Sequence, residues 1–534
     1  MGKVVKYAIG QQDFKSLRIA DCLYIDKTEY IQKIISSGSQ YYFLARPRRF
    51  GKSLFLSTLR YFFEGQRELF NGLYIDSVDW EWESYPVLYI DLNRERDGEP
   101  GKLDSVLDNL FSKWETQYEV GMKAGDLSSR FANIIEAAHR ETGKQAVILV
   151  DEYDKPLVGN LNKNENFEYY RNQLASVYSN FKSSAEHIRL VFLTGVSRFS
   201  KLSVFSDLNN IVDITFSNEF ADICGITERE MLENLQTGIN KLAEYEWITY
   251  DEAITLLKQN YDGYRFAERG SDIYNPWSLL NAMAESQIRN YWNDTGVPTI
   301  AIEALKRINA DLEKTFDSYC SSTDLKGLDL LDPDPRALLY QTGYLTIKDY
   351  HKRLRMFRLG IPNREAKEAL VKILIPAYLK YKSVLSNEVT DKIVMGFILG
   401  KPEVAMKALQ TYFAGIDYSL RIENENNFHN AFFLLIDLIG LNAKAESHTS
   451  DGRIDIEVTT DEFIYIIELK YDHSAQEALE QIENKQYARK HQTDSRKVFL
   501  IGAAFSSKTR CIEDWRIKEN GAMPGDALPP MKSL

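Results

Sequence analysis

YYFLARPRRFGKSLFLSTLRYFFEG, running from Tyr41 to Gly65, holds a strand, a loop and a helix in immediate succession. Tyr41–Ala45 is an unbroken apolar run at strand length, and Arg46–Phe50 is a turn-forming loop. Gly51-Lys52-Ser53 then opens a helix. Its apolar side is Leu54, Phe55, Leu56, Leu59, Phe62 and Phe63, and Gly65 stands where a C-cap belongs. This succession is the architecture of a phosphate-binding loop. Backbone N–H groups and the helix N-terminus offer positive partial charge to a polyphosphate, Lys52 reaches the β/γ-phosphates, and Ser53 holds Mg²⁺. The chain departs from the full motif at Arg46, where the motif has its first glycine.

Outward from this stretch lie three more apolar runs at strand length: Pro86–Leu92, Ala146–Val150 and Ile188–Leu193. Helical periodicity fills Leu103–Glu119, Ser128–Thr142 and Phe167–Ser183 between them. None of the runs alternates apolar with polar, as expected for strands of a parallel sheet covered by helices on both faces. The expected fold is therefore α/β, with a P-loop ASCE-type parallel sheet. Before it, Tyr24–Thr28 is expected as a short strand leading into a helix capped by Asp26 or Thr28, with Tyr30, Ile31 and Ile34 on its core side.

AVILVDEYDK supplies the second chemical anchor. Asp151, at the end of an apolar strand, is placed to hold Mg²⁺ beside Ser53, and Glu152 to polarise the water that attacks the γ-phosphate. An acidic turn after a buried strand is common by itself. About a hundred residues after Gly-Lys-Ser it becomes a specific pairing. In FLTGVSRFSK, Thr194 or Ser197 is a candidate γ-phosphate sensor, and Arg198 a candidate for the phosphates or for a neighbouring subunit; an ordinary polar loop is the competing reading. Arg48 and Arg49 either bind phosphate or cap the acidic Asp151–Asp154 segment.

The 534 residues suffice for roughly three or four domains. An apolar share of 44% and an aromatic share of 12% fit packed globular domains, not disorder. No apolar run reaches the length of a membrane span, and the N-terminus lacks the apolar core of a signal peptide. Cys22, Cys224, Cys320 and Cys511 are scattered without a CxxC pair, which fits a reducing cytoplasm and excludes a cysteine-based zinc site. A net charge of −12 argues against a surface coated for sequence-blind nucleic-acid binding, although local basic grooves remain compatible with it.

The expected divisions are 1–222 for the ATPase-type domain, 223–300 for a helical lid, 301–365 for a winged helix, 366–420 for a helical linker and 421–534 for a terminal domain. YDGYRF, IYNPWSLLN and YWNDTGVP are aromatic packing corners of the lid. In the third part Ala301–Leu312 and Arg336–Thr342 are expected helices, followed by a two-stranded wing. The wing gathers Lys348, His351, Lys352, Arg353, Arg355 and Arg358, which suit either DNA backbone or a solvated face.

The last hundred or so residues carry an independent constellation. The expected order is αβββαβ: a helix over Asn426–Ile439, strands over Asn442–Ser447, Arg453–Thr459 and Phe463–Lys470, a helix from Ala475, and a strand at Val498–Gly502. A hairpin closed across Thr459–Glu462 opposes Val458 to Phe463 and Asp455 to Ile466. Asp455, Glu468 and Lys470 then share one side, while Ile454, Ile456, Val458, Tyr465, Ile467 and Leu469 share the other. Two carboxylates and a lysine are what metal-assisted phosphodiester hydrolysis requires: ligands for a hard cation and a base-and-charge partner for water. The bland alternative is a salt-bridged sheet face. Glu425 on the preceding helix is a third candidate metal ligand and Glu446 competes with it. Gln481, with Tyr487, is a candidate for positioning nucleic acid, and Lys485, Arg489, Lys490 and His491 give that helix end a basic character suited to phosphate or to the helix dipole.

D…ExK in this order resembles the PD-(D/E)XK nuclease superfamily. Together with IGQQDF, YIDKTEYI, FLARPRRFGKS, VILVDEYDKP, FLTGVSRFS, LLYQTGYLTI and GRIDIEV…IIELK, the chain resembles a bacterial family that joins an AAA-like (STAND/archaeal-type) ATPase domain to a C-terminal PD-(D/E)XK nuclease domain. The resemblance spans nearly the whole chain, and in it an arginine at position 46 is usual. It implies ATP binding by Gly51, Lys52, Ser53 and Asp151; Arg46, Pro47, Arg48, Arg49, Phe50, Leu54 and Thr194 are further candidate nucleotide contacts, with metal expected at Ser53 and Asp151. It implies metal binding by Asp455 and Glu468, with Mg²⁺ (or Mn²⁺) the expected cation, Glu425 a candidate further ligand and Lys470 the expected catalytic lysine.

Two functions follow as expectations. One is an ATP-gated, metal-dependent nuclease acting on DNA rather than RNA, in defence against phage or mobile DNA, with oligomerisation through the ATPase domain. The other is a STAND-type signalling switch whose C-terminal domain binds a partner or nucleic acid without cleaving. A plain NTPase with a structural C-terminal domain is a weaker third.

Overall fold

A computed structural model describes residues 5–94, 102–121, 125–158, 160, 164–196, 210–292, 318–326, 334–370, 383–414, 432, 435–436, 442–449, 452–509 and 511–520. The chain divides into two compact units, with the boundary between Ala369 and Leu370. No helix among the described residues is long and apolar enough to cross a membrane.

The first unit is built on β1 (Tyr41–Ala45), β2 (Val87–Asp91), β3 (Ala146–Asp151), β4 (Ile188–Gly195) and β5 (Val212–Asp213). They form one parallel sheet in the order β2-β3-β4-β1-β5. β4 therefore separates β1 from β3, and Ala45, Asp151 and Gly195 end at the same edge of the sheet. Both faces are covered, which is why the strands lack polar alternation. On one face Tyr41, Phe43, Ile148, Val150, Val191 and Leu193 join the core made with the helices Lys102–Gln117, Leu127–Thr142 and Asn164–Ser183. On the other lies the helix that follows β1, Lys52–Phe63, with Phe55, Leu56 and Leu59 buried and the Phe55 ring 5.9 Å from Phe192. Truncating Leu59 to Ala costs about 2–5 kcal/mol on this account.

No strand forms at Tyr24–Thr28. Lys27 is drawn instead to Glu230 (2.7 Å) and to the Asp222 carbonyl (2.8 Å), which bends the segment against later helices. Asp26 Oδ1 accepts from the Thr28 N–H and hydroxyl just before the helix Glu29–Ser36.

Helices Glu228–Asn234, Gln236–Glu246, Tyr250–Tyr261 and Pro276–Glu285 carry their own apolar core. Capping boxes at Thr227/Glu230 and Thr249/Glu252 start the first and third, and Asn275 with Pro276 starts the fourth. Further on, Tyr319–Ser321, Thr346–His351 and Met356–Gly360 form a three-stranded antiparallel sheet beside the helix Pro335–Thr342. The expected helix at Ala301–Leu312 lies outside the described residues. In the wing, Lys348 is not part of an outward basic cluster. Its ammonium donates to the Pro362 carbonyl at 2.9 Å and reaches that of Gly263 at 3.4 Å, and burial lowers its pKa.

In the second unit the sheet runs Asn442–Thr449, Gly452–Thr459, Phe463–Tyr471, Lys497–Ser506, Cys511–Asn520 in spatial as well as chain order. Its one parallel pair, Phe463–Tyr471 with Lys497–Ser506, is bridged by the helix Ala475–Asn484. The last strand exceeds the expected αβββαβ order. Phe432, Leu435 and Ile436, the described part of the expected helix over 426–439, are helical and buried. The helices Ser383–Ile398 and Pro402–Ala414, expected as part of a linker, pack on this sheet. Tyr465 donates to the Phe397 carbonyl at 2.6 Å, and Gln410 to that of Ile512 at 2.8 Å.

The hairpin register differs from expectation by two residues. Val458 opposes Tyr465 and Ile456 opposes Ile467, because the turn closes on Thr460 and Phe463 rather than on Val458 and Phe463. Thr460 N–H donates to the Phe463 carbonyl at 2.8 Å, and the Phe463 N–H donates to the Thr460 hydroxyl at 3.0 Å. Side chains alternate with period two, so this shift leaves every residue on its expected face and brings Asp455 opposite Glu468 instead of Ile466.

Candidate active sites

The first site forms where β1, β3 and β4 end. Gly51 takes a left-handed conformation (φ +96°) that turns the loop into its helix, a backbone position suited to glycine. Lys52 is buried, and its ammonium donates to the carbonyls of Arg46 (3.0 Å) and Pro47 (3.2 Å) and lies 3.5 Å from Glu152. Asp151 is 4% exposed at the tip of β3. Thr194, on the intervening strand, donates to it at 2.7 Å, and the Tyr89 hydroxyl reaches it at 3.5 Å. Burial and then Glu152 push the Asp151 pKa up, while hydrogen bonds from Ser53 and Thr194 and the charge of Lys52 oppose them. Glu152 itself stands in the left-handed region at φ +54°, an unusual conformation for a non-glycine residue.

These groups border a cleft of about 300 Å³ whose lining includes Arg48, Arg49, Gly51, Lys52, Ser53, Leu54 and Glu152. Gly10, Gln11, Gln12 and Trp277 also line it, and no sequence motif marks them for chemistry. The N-terminal segment is fixed there by Asp13, which caps the helix Phe14–Ile19 and accepts from Tyr61 at 2.8 Å. An apolar pocket of about 90 Å³ shares Ala8, Gly51, Leu54, Pro276 and Leu280 with the cleft and is also lined by Phe50 and Cys224. Phe50 packs edge-on against Tyr264 and Phe266.

Arg46 is expected among the nucleotide contacts, yet its side chain is 1% exposed and does not line the cleft. The guanidinium donates to the carbonyls of Ala45 (2.9 Å), Thr215 (2.8 Å), Phe220 (3.2 Å) and Ala221 (3.3 Å), and stacks 4.3 Å from the Phe266 ring. Of the two arginines expected to bind phosphate or to cap the acidic segment, Arg48 lines the cleft and the Arg49 guanidinium lies 3.9 Å from the Trp277 ring. Asp154 of that segment accepts from the Val196 N–H at 3.1 Å. Ser197 and Arg198 lie outside the described residues.

The second site lies on the face of the C-terminal sheet covered by Ala475–Asn484. The Leu469 N–H donates to Asp455 at 2.9 Å, which fixes that carboxylate against the neighbouring strand. Glu468 is 1% exposed. One of its oxygens accepts from Lys470 at 3.4 Å and from Gln481, while Oε2 has no hydrogen-bond partner among the described residues. Burial, reinforced by Asp455 and only partly offset by Lys470, pushes the Glu468 pKa up to about 7. A buried carboxylate with an unanswered oxygen beside a second carboxylate fits a divalent cation, whose charge would supply what burial removes. No group of three or more metal-binding side chains occurs among the described residues. Glu425 falls outside them, and Glu446 lies on Asn442–Thr449 at the register position of Asp455, its side chain also outside them.

Gln481 is thus brought to the carboxylates, whereas Tyr487 packs in the core with Ile464 and Ile466. Lys490 and His491 do not form a free basic helix end. Both contact Glu457, which is 4% exposed, with His491 at 3.3 Å. Burial raises the Glu457 carboxyl, but His491 and Lys490 overcome it and hold the pKa at about 2.

Residues 8–205 match the family described as predicted AAA-ATPase, and residues 423–515 match the PD-(D/E)XK nuclease superfamily. A protein of Azotobacter chroococcum mcd 1, described as "Uncharacterized protein in vnfD 5'region", is 32% identical over 530 residues, covering 97% of this chain and 99% of that protein. The chain belongs to the family that joins an AAA-like ATPase domain to a C-terminal PD-(D/E)XK nuclease-superfamily domain.

Proposed function

We propose that this protein binds and hydrolyses ATP in its first unit and cleaves DNA with a divalent cation in its second, the first reaction licensing the second. The observation that carries the reading is the meeting of Asp455, Glu468 and Lys470 on one sheet face, with Glu468 buried and one of its oxygens unanswered among the described residues.

In the first unit the triphosphate lies along the cleft against Gly51, Lys52 and Ser53, with the base directed into the adjoining apolar pocket. Lys52 exchanges its carbonyl contacts for phosphate oxygens, Ser53 and Asp151 hold Mg²⁺, Thr194 orients Asp151, and Glu152 polarises water. In the second unit Asp455 and Glu468 hold Mg²⁺ or Mn²⁺, with Glu425 as a further ligand. The cation supplies Lewis-acid activation of water and of the scissile phosphate. Lys470 orients the water and offsets developing negative charge, and Gln481 positions Glu468. DNA is favoured over RNA as substrate, and defence against phage or mobile DNA in the cytoplasm is the role such a pairing suits. A homo-oligomer formed through the ATPase domain is the assembly this reading expects.

The competing reading, a signalling switch without cleavage, separates cleanly by experiment. Plasmid, linear and single-stranded DNA and RNA are incubated with Mg²⁺ or Mn²⁺ and either wild type or Asp455→Ala. Cleavage by wild type that disappears in the variant supports the nuclease. If no substrate is cut while ATP still binds, the switch replaces it.

A further inference from the structure

The cleft holds a contact that neither reaction accounts for. Arg49 and Trp277 both line it beside Lys52 and Glu152, and the guanidinium lies 3.9 Å from the indole ring. We propose that Arg49 is a γ-phosphate-binding residue parked on Trp277, and that a nucleoside triphosphate draws the guanidinium off the indole. The proposal rests on the nucleotide reading of this cleft and adds the sensing step to it.

Three observations carry it. Arg49 occupies the left-handed region at φ +70°, so the loop holds a non-glycine residue in a sparsely populated conformation two residues before Gly51. Its guanidinium makes no ion pair among the described residues; an aromatic face is the partner the structure gives it. A cation–π contact is weaker than charge-assisted hydrogen bonds to phosphate, so a polyphosphate in the same cleft outcompetes it. Trp277, for its part, is tethered to the helical lid. It sits in the first turn of Pro276–Glu285, where Asn275 caps its N–H, and its indole N–H donates to the Tyr291 carbonyl at 3.1 Å. Gly10 borders the same ring, where an added Cβ would meet the indole at 3.4 Å. Loss of the stack therefore alters the environment of one tryptophan at the junction of phosphate loop, N-terminal segment and lid.

The test is intrinsic tryptophan emission of the full chain, titrated with Mg²⁺ and a non-hydrolysable ATP analogue or ADP. Affinity is measured separately with a fluorescent nucleotide excited outside the tryptophan band. The analogue is expected to change wild-type emission, ADP to change it less than half as much, and Trp277→Phe to lose the change while still binding. Arg49→Gln is expected to weaken the analogue by about tenfold but ADP by less than about twofold, since the lost contact is to the γ-phosphate. Trp277→Leu is expected to tighten the analogue by about threefold, because the parking contact is gone. Tight analogue binding with unchanged wild-type emission overturns the latch alone. So does a tenfold weakening in Trp277→Leu, which would make the indole a direct ligand contact. No nucleotide binding to wild type overturns both the latch and the nucleotide reading.

Discussion

The two sites of this chain handle buried charge in opposite ways. In the cleft of the first unit each principal charge has an internal partner: Lys52 has two carbonyls and Glu152, Asp151 has Thr194, and Arg49 has Trp277. On the sheet of the second unit Glu468 is equally buried but keeps an oxygen without a partner among the described residues, and burial beside Asp455 raises its pKa. An answered site must exchange contacts when its ligand arrives, which makes it a natural place for a switch. An unanswered carboxylate pair gains from a cation outright, which makes it a natural place for a metal.

The sharpest way to break this contrast is Glu468→Gln. It is expected to reduce cleavage about 1,000-fold, roughly 4 kcal/mol of barrier, and to weaken Mn²⁺ binding measured by calorimetry. Unchanged Mn²⁺ binding would mean the unanswered oxygen has no ligand role. Next comes Arg46→Gly, which restores the usual phosphate-loop glycine while removing the guanidinium from four carbonyls, of which Phe220 keeps the Ile223 N–H. Thermal melting of the first unit should report about 3 kcal/mol of lost stability, because unpartnered buried carbonyls are expensive. Lys52→Ala is expected to weaken ATP about 30-fold, or about 2 kcal/mol, by direct titration. Removing its internal competitor instead, with Glu152→Gln, should leave ATP binding intact or slightly tighter while slowing hydrolysis.

The smallest effect concerns Glu457. Its carboxyl is held at about 2, below the ordinary 4.5, so its stabilisation is fully present above about pH 4.5 and lost as pH falls through 2. Lys490→Ala should lower the stability of the second unit by about 1 kcal/mol at neutral pH, and the difference from wild type should shrink in acid melts over that window.

Much of this was legible because the relevant signals are local. Strand, loop and helix around Gly51 follow one another in the sequence, and the acids at 151 and 152 directly end an apolar run. The carboxylate face survived a wrong register because the error was two residues, and sheet faces repeat every two. What stayed hidden depends on partners distant in sequence. Arg46 reads as a loop cation until residues 215–221 surround it with carbonyls. Trp277 reads as a packing aromatic until the lid brings it to Arg49, and Lys490 reads as a phosphate ligand until Glu457, on the strand Gly452–Thr459, claims it. The two-residue strand Val212–Asp213 is too short to carry a periodicity at all.

The central claim, that nucleotide binding in one unit licenses chemistry in the other, is tested most directly by DNA cleavage with and without ATP. Wild type, Lys52→Ala and Lys470→Ala are compared in Mg²⁺ or Mn²⁺. The account predicts ATP-dependent cleavage by wild type, loss of that dependence in Lys52→Ala, and no cleavage by Lys470→Ala under any condition. Equal cleavage by wild type and Lys52→Ala, with ATP present or absent, would contradict it.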